Sequence, residues 1–480
     1  MKPTLLRLSI ILAGALLFAG CAEKKRLTSS SPDALRYYDE GVSFFEKFYY
    51  REAWEAIDRS LDADSAFAMA WARRAMLSWD VRDENGAKVE IDRAMKLSTE
   101  ASRREQLFIR MWYNRIHYLN KEAGATADSL FARYPDEREA LVFRGNMYEM
   151  DKNYEAAIRS YMEALDVDST YARAAMHLGY AYSSQGDQQK ALASMQRYIR
   201  LVPDAADPRA SYADLLLRSG RYDDALEQYR KSLELKSDYS YSVRRIGEIY
   251  ALQGRLREAE EQFHKALALL PKREKMEVAH LIADGRLDFL RGKYGSALKQ
   301  FQEAIQLDTT MWEAASGVAL SLAKLGKFDE ANEVVDRLKV ELERRNLAEA
   351  PLMAGYHLIR GRVLTEQGLY DEALAACEHS VQLASPFERG YAYQQTAEIL
   401  LRQKEYERAL DACEEALGVL PNNPIVLLTL LKTYRAKGDA RMTAEIRNRL
   451  LMFWDHADPD FQYLLEARRA VGRQASPAAQ

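Results

Sequence analysis

Small residues recur along this 480-residue chain at intervals of 34 residues or slightly more. Eleven alanines share one register, and the interval from each to the next is 34 to 42 residues. They are Ala53, Ala87, Ala123, Ala157, Ala191, Ala225, Ala259, Ala297, Ala331, Ala373 and Ala409. A second series precedes them by twelve residues, as Gly41 precedes Ala53 and Gly247 precedes Ala259. A period of this length is one supersecondary unit, which buries its apolar face only against neighbouring copies.

Each unit carries the sequence of a turn between two helices. The phrase GRYDDALEQYRKSLEL begins at Gly220, and similar phrases begin at Gly326 and Gly368. Glycine ends helices readily because it adopts the left-handed conformation at low cost, and an acid such as Asp223 can cap the next helix or meet its dipole. The small residue of each first helix is expected to face the alanine of the second. The glycines expected to end first helices are Gly186, Gly220, Gly254, Gly292, Gly326, Gly368 and Gly438.

The pattern resembles the tetratricopeptide repeat over roughly residues 34–453. The resemblance implies an all-α fold, a right-handed superhelical α-solenoid of about twelve helix-turn-helix repeats. Two repeats depart from the pattern, since Met111 and Leu431 replace the small residue and Thr443 replaces the alanine.

The array is predicted to cover residues 34–456. A capping helix is expected over residues 457–472, with Asp458 as its N-cap and Pro459 in its first turn. Residues 473–480 are predicted to be a disordered tail.

The first residues have the character of a targeting segment. Basic residues precede an apolar run, LSIILAGALLF, that is too short to span a bilayer comfortably. The run ends in FAGC, which resembles a bacterial lipobox and implies a signal peptide over residues 1–20 and a lipid on Cys21. Ala22 follows the cysteine, which under the same resemblance implies the outer membrane, facing the periplasm. The alternative is an ordinary signal with a chance cysteine, and residues 21–33 are expected to be a flexible tether.

Composition and motifs point away from several classes of function. A net charge of −4 supplies no basic field for nucleic acid. The seven histidines lack metal-ligand spacing, and neither an H-E-x-x-H nor a G-x-S-x-G motif occurs. We therefore predict no catalytic residue, no metal and no cofactor. Cys377 and Cys413 occupy equivalent places in successive second helices, where helix packing would hold them too far apart for a disulfide, so buried thiols are expected.

In the repeat family that this chain resembles, first helices line a groove that holds a protein or an extended peptide segment. The positions expected to face such a groove are Tyr38, Phe45, Trp79, Asn146, Tyr180, Tyr241, Arg244, Arg286, Phe289 and Arg362. In the first two repeats these positions form an apolar stripe, which either binds an apolar segment or is buried beneath the tether or a loop. The equal alternative for any one position is a solvated helix face.

The pattern as a whole predicts a non-catalytic scaffold or adaptor lipoprotein that assembles or recruits an envelope complex at the periplasmic face of the outer membrane. An enzyme or small-ligand site in the degenerate stretches, residues 98–137 or 339–356, is the alternative. Self-association through the edge repeats is a further one.

Overall fold

The computed structural model describes residues 27–81, 83–269, 276–308, 311–344 and 351–470. The predicted signal peptide, Cys21 and the predicted tail lie outside these residues. Within them, every regular element is a helix, and the predicted all-α fold is confirmed.

The chain forms two compact units, residues 1–147 and residues 148–480. The first helices along the chain are α1 (Pro32–Glu46), α2 (Tyr50–Ala63), α3 (Ala68–Asp80), α4 (Glu84–Leu97), α5 (Arg103–Ile116), α6 (Asn120–Arg133) and α7 (Arg138–Met150). Then follow α8 (Tyr154–Val167), α9 (Ala172–Gln185), α10 (Gln188–Leu201), α11 (Asp207–Arg218), α12 (Tyr222–Leu235), α13 (Ser240–Leu252), α14 (Leu256–Ala268), α15 (Met276–Leu290) and α16 (Tyr294–Leu307). The last are α17 (Trp312–Lys324), α18 (Phe328–Arg344), α19 (Pro351–Gln367), α20 (Tyr370–Leu383), α21 (Pro386–Arg402), α22 (Tyr406–Val419), α23 (Pro424–Lys437), α24 (Ala440–Phe453) and α25 (Gln462–Arg469).

Glycine ends the first helices as predicted. All seven glycines have positive φ, from +68° at Gly220 to +95° at Gly186. The acids that follow lie in the first turn of the second helix, as Asp223 and Asp371 do. These two acids do not cap it, because Arg221 and Leu369 occupy the N-cap positions, whereas Asp187 and Asp439, which directly follow Gly186 and Gly438, are N-caps with a side-chain cap bond. Asp223 and Asp371 therefore act through the helix dipole alone.

The register alanines are the point of closest packing. All eleven have an exposed fraction of 0%. The small residue of the first helix, however, does not simply face the alanine. A Cβ on Gly41 would come within 2.7 Å of Ile57, and one on Gly247 within 2.9 Å of Phe263. The space beside Gly41 and Gly247 is therefore filled by a large side chain, Ile57 or Phe263, that lies four residues after the register alanine.

The two cysteines are free and buried, as predicted. Burial raises the pKa of the Cys377 thiol to about 11 and that of Cys413 to about 12. Both therefore stay protonated and act as small apolar side chains.

The end of the predicted tether is held against the first unit. The backbone N–H of Thr28 donates to Glu105 at 2.9 Å, and its hydroxyl donates to the same carboxylate at 2.5 Å. The hydroxyl of Ser29 donates to Asp64 at 2.6 Å. Thr28 and Ser29 are thus held by the buried Glu105 of α5 and by the half-buried Asp64 at the end of α2, whereas the prediction had them in a flexible tether.

One further prediction concerns the N-cap of the last helix. The last helix begins at Gln462 with Phe461 as its N-cap, so Asp458 does not cap it. No helix in the described ranges is both long and apolar enough to cross a membrane.

Candidate partner-binding surface

The apolar stripe predicted on the first two repeats is buried inside the first unit. Tyr38 and Phe45 each have an exposed fraction of 4%, and Met69 and Met76 are buried with them. A partner cannot reach these side chains, so their assignment to a binding groove is wrong. The cover is not a loop but the packing of α1 and α3 against the neighbouring helices of the unit.

Arg73 is the polar group that closes this core. Its guanidinium forms two hydrogen bonds to Glu139, at 2.7 and 2.9 Å, and donates to the Tyr38 hydroxyl at 3.2 Å. It also lies 4.9 Å from the ring centre of Phe108. Burial lowers the pKa of Arg73, but Glu139 and Tyr38 more than offset this and leave it raised. The guanidinium of Arg73 is therefore bound to side chains within the core of the first unit and is not available to a ligand.

The remaining predicted residues of the first unit are only partly accessible. Trp79 packs edge-on against Tyr118 at 5.8 Å, and the guanidinium of Arg115 lies 5.2 Å from its ring centre. Asn146 is half-buried.

In the second unit, Asp214 on α11 is hydrogen-bonded to side chains of three other helices, α9, α12 and α13. It is 5% exposed and accepts hydrogen bonds from Tyr180 at 3.0 Å, Tyr241 at 2.6 Å and Tyr229 at 2.5 Å. Arg245 donates to the same carboxylate at 2.9 Å. We call this set the Asp214 network. It brings together two predicted groove residues, Tyr180 and Tyr241, and fixes their rings.

The electrostatics of the network keep its phenols protonated. Burial, and then the charge of Asp214, raise the pKa values of Tyr180, Tyr229 and Tyr241 well above the usual value. Burial lowers the pKa of Arg245, but Asp214, Tyr229, Glu248 and Tyr241 together more than offset this and leave it raised. Three neutral donors and one cation thus satisfy a single buried carboxylate.

Beside the network, the Tyr391 ring packs edge-on against Phe387 at 5.8 Å, within the electrostatic influence of three arginines. The guanidinium of Arg218 lies 5.6 Å from the ring centre of Tyr180 and 5.0 Å from that of Phe387. Tyr391 is 38% exposed. Burial raises the pKa of its phenol, opposed by the charges of Arg245, Arg362 and Arg218. These side chains come from α11, α13, α19 and α21, all first helices.

Two of these arginines form no close ion pair, although the charge of Arg218 opposes the effect of burial on the pKa of Glu149. Across the residues that the structure describes, neither Arg218 nor Arg362 forms a hydrogen bond or an ion pair, whereas Arg245 is bound to Asp214 and Glu248. We call Arg218, Arg362 and Tyr391 the Arg–Tyr surface. It offers two half-buried cations outside any close ion pair, beside an exposed aromatic ring, which is the chemistry that recognises carboxylates and apolar side chains together.

The other predicted residues lie apart from this surface. Arg244 is exposed and paired with Glu248, and Arg286 on α15 is exposed. Phe289 packs edge-on against Tyr294 at 5.1 Å. None of them is a partner of Asp214.

Tyr391 was missed by the sequence analysis although a signal existed. It lies six residues before the small residue Ala397, just as Tyr241 lies six residues before Gly247. Arg218 gave no such signal. It lies on α11 between the Tyr180 ring of α9 and the Phe387 ring of α21, two helices that are far apart in the sequence but in contact. In the described part of the chain, no group of three or more His, Cys, Asp or Glu side chains is placed to hold a metal ion.

Comparisons with known proteins agree with the helix pairs. A family model described as a tetratricopeptide repeat matches residues 120–169, 153–206, 213–274 and 340–386. The chain is 23% identical over 333 residues to DnaJ homolog subfamily C member 7 homolog of Schizosaccharomyces pombe, covering 63% of this chain and 66% of that protein. It is 20% identical over 311 residues to TPR repeat-containing protein YpiA of Bacillus subtilis, covering 59% of this chain and 72% of that one. This chain thus spans slightly less than two thirds of the length of the first of these relatives.

A solved structure gives a partial likeness. A tetratricopeptide repeat protein from Parabacteroides merdae is 19% identical, with a TM-score of 0.37 over 55% of this chain and 98% of that one. Tetratricopeptide repeats in general bind protein partners and serve as scaffolds. The matched segments agree with the helix pairs and the buried register alanines. Tetratricopeptide repeats match residues 120–169, 153–206, 213–274 and 340–386 of this chain.

Proposed function

We propose that this protein is a non-catalytic scaffold that binds a protein partner through the Arg–Tyr surface of its second unit. In this proposal a lipid on Cys21 anchors it at the periplasmic face of the outer membrane, where it assembles or recruits an envelope complex. The observation that carries the binding proposal is the pair of arginines without a close ion pair beside Tyr391, which is 38% exposed.

Preorganisation supports binding at this surface. The Asp214 network holds Tyr180 and Arg245 by hydrogen bonds before any partner arrives. Arg218 rests between the rings of Tyr180 and Phe387, so less side-chain freedom remains to be lost on association. Arginine and tyrosine are also the residue types that most often dominate interface energies.

The same chemistry suggests what the partner presents. A carboxylate can accept two parallel hydrogen bonds from one guanidinium, and an apolar side chain can pack on the Tyr391 ring. We therefore propose an extended segment that bears acidic and apolar residues. Arg218 and Arg362 would each bind an acid, and Tyr391 would cover the apolar residue between them.

Site-specific crosslinking in the envelope tests this proposal. A photoreactive amino acid at position 391 should give a discrete adduct with one partner. The same group at Met162, which is 48% exposed on the second helix α8, is the matched control and should give none. Arg218→Ala together with Arg362→Ala should reduce the 391 adduct at least tenfold. Equal adducts at both positions, or none at 391, would refute binding at this surface.

The membrane anchor has a separate test. Two or more acyl chains would hold the protein stably on a bilayer, so Cys21→Ser should move it from the membrane fraction to the soluble fraction. Metabolic labelling with a fatty acid should mark the wild-type chain and not the variant. Unchanged fractionation without any label would exclude the lipid and leave the binding proposal standing.

A further inference from the structure

The five residues before α1 belong to the folded first unit. The side chain of Leu27 packs against the buried core of that unit. The hydroxyl of Thr28, which donates to Glu105, also accepts from the backbone N–H of Ser102 at 3.2 Å. Ser31 is the N-cap of α1 and forms a side-chain cap bond. These five residues are thus fixed to the unit and do not lengthen the tether.

These contacts lie at one edge of the first unit. Asp64, which accepts from Ser29 at 2.6 Å, directly follows α2, and Glu105 lies in the first turn of α5. This edge therefore combines the end of a second helix with the starts of first helices. We call the following residues the anchor edge: 27–31, 64–67 and 98–105.

The turns inside the repeats lie at the opposite edge of the unit. The helices α1 and α5 contain 15 and 14 residues, and a rise of about 1.5 Å per residue makes each of them roughly 22 Å long. The Tyr50 hydroxyl lies 3.5 Å from the Asp80 carboxylate. The rings of Trp79 and Tyr118 are 5.8 Å apart, so successive turns lie side by side. We call residues 47–49 and 117–119 the turn edge.

A short stretch of chain separates the anchor edge from Cys21. The chain from Cys21 to Leu27 spans at most about 22 Å in any conformation, whereas a tether that reached to residue 33 would span up to about 43 Å. The fixed residues thus halve the greatest distance between Cys21 and the first unit. Lys24, Lys25 and Arg26 lie within this stretch, and basic side chains next to a membrane are attracted to anionic headgroups.

We propose that the anchor edge faces the lipid bilayer and that the turn edge points away from it. This orientation rests on the proposed lipid on Cys21, which sets Cys21 at the headgroups. The anchor edge is then held within about 22 Å of the bilayer surface, and the turn edge lies about one helix length farther out. The reverse orientation would place the whole unit between the bilayer and the anchor edge, which requires the chain from Cys21 to Leu27 to be stretched to its limit.

Energy transfer to the bilayer tests this orientation. The lipidated full-length protein is reconstituted in phosphatidylethanolamine–phosphatidylglycerol vesicles in which some headgroups carry an acceptor dye. A donor dye is attached to Ser65→Cys on the anchor edge or to Leu119→Cys on the turn edge, two exposed positions of the same unit. Cys377 and Cys413 are buried and stay unlabelled. Transfer from position 65 should be at least twofold greater than from position 119, and equal or reversed transfer would overturn the proposal.

The length of the tether gives a second readout. A 20-residue Gly/Ser insert between Arg26 and Leu27 adds roughly 25 Å of reach, so transfer from position 65 should fall at least twofold. The same insert after Gln480 is the matched control and should leave the transfer unchanged. If the insert before Leu27 also left it unchanged, the short tether would not hold the anchor edge at the bilayer, and the proposal would be wrong.

Cys21→Ser separates a failure of the orientation from a failure of the proposed anchor. This variant should not bind the vesicles, and transfer should be lost from both labelled positions. A wild-type chain that carries the fatty-acid label but transfers equally from positions 65 and 119 would contradict the orientation alone. A wild-type chain without the label would exclude the lipid anchor and the orientation with it.

Discussion

At the scale of single residues, buried charge is used for internal cohesion. Asp207 is 7% exposed and accepts hydrogen bonds from Tyr198 at 2.8 Å, Tyr239 at 2.7 Å and Ser211 at 3.3 Å. These donors only partly offset its desolvation, and burial raises the pKa of Asp207 to about 6. The group is therefore costly when ionised, in contrast to Asp214, which has Arg245 beside it.

The raised pKa of Asp207 predicts a pH-dependent effect of Asp207→Asn. A carboxyl with a folded pKa above its unfolded value stabilises the fold fully at low pH, and this stability is lost as pH rises through about 6. The free energy of unfolding of the variant minus that of the wild type should thus rise by about 2–3 kcal/mol between pH 4 and pH 7.5. Urea unfolding at the two pH values measures it, and a difference that is flat or falls with pH would contradict this explanation.

The buried ion pair of the first unit gives a second residue-scale prediction. Glu139→Gln leaves the Arg73 charge buried without its acid, and we expect a loss of about 3 kcal/mol in the free energy of unfolding. Replacing both, as Arg73→Met with Glu139→Leu, should cost much less because no charge remains. A double-mutant cycle by chemical denaturation measures the coupling. Additive losses from the two changes would mean that Arg73 is not held by Glu139.

At the scale of helices, the register alanines set the distance within each pair. Ala123 and Ala125 lie on the same helix α6, but Ala123 is fully buried and Ala125 is exposed. Ala123→Leu should overpack the interface and lower the free energy of unfolding by about 1–3 kcal/mol. Ala125→Leu, which adds the same side chain to solvent, should change it by less than about 0.5 kcal/mol. Thermal unfolding of both variants makes the comparison, and equal shifts would contradict the packing role.

The helices could be predicted from local sequence patterns, whereas the contacts between residues distant in sequence could not. Turn glycines and alanines act on the adjacent helix, so their spacing appears directly in the sequence. The partners of Arg73 and Asp458 lie 66 and 201 residues away, and no periodic signal relates them. For this reason the sequence analysis treated Tyr38 and Phe45 as groove-facing residues and Asp458 as an N-cap, although its carboxylate accepts from the backbone N–H of Arg257.

At the scale of the whole molecule, each compact unit places first-helix residues in a different role. In the first unit Tyr38 and Phe45 belong to the core, and the binding prediction for them is wrong. In the second unit the hydroxyls of Tyr180 and Tyr241 are bound to Asp214. Arg218, Arg362 and Tyr391 lie outside these hydrogen bonds and are the residues proposed to contact a partner. The binding function is therefore proposed only for the second unit.

The most direct test of this account is charge reversal at the Arg–Tyr surface of the full-length chain. Arg218→Glu with Arg362→Glu should reduce the recovered amount of the partner crosslinked at position 391 at least tenfold, without changing the melting temperature. The control is Arg159→Glu with Lys299→Glu, two residues on second helices whose side chains are 61% and 78% exposed. This control changes the net charge equally and should leave recovery unchanged. If both pairs of substitutions gave the same recovery, the Arg–Tyr surface would not be the binding site.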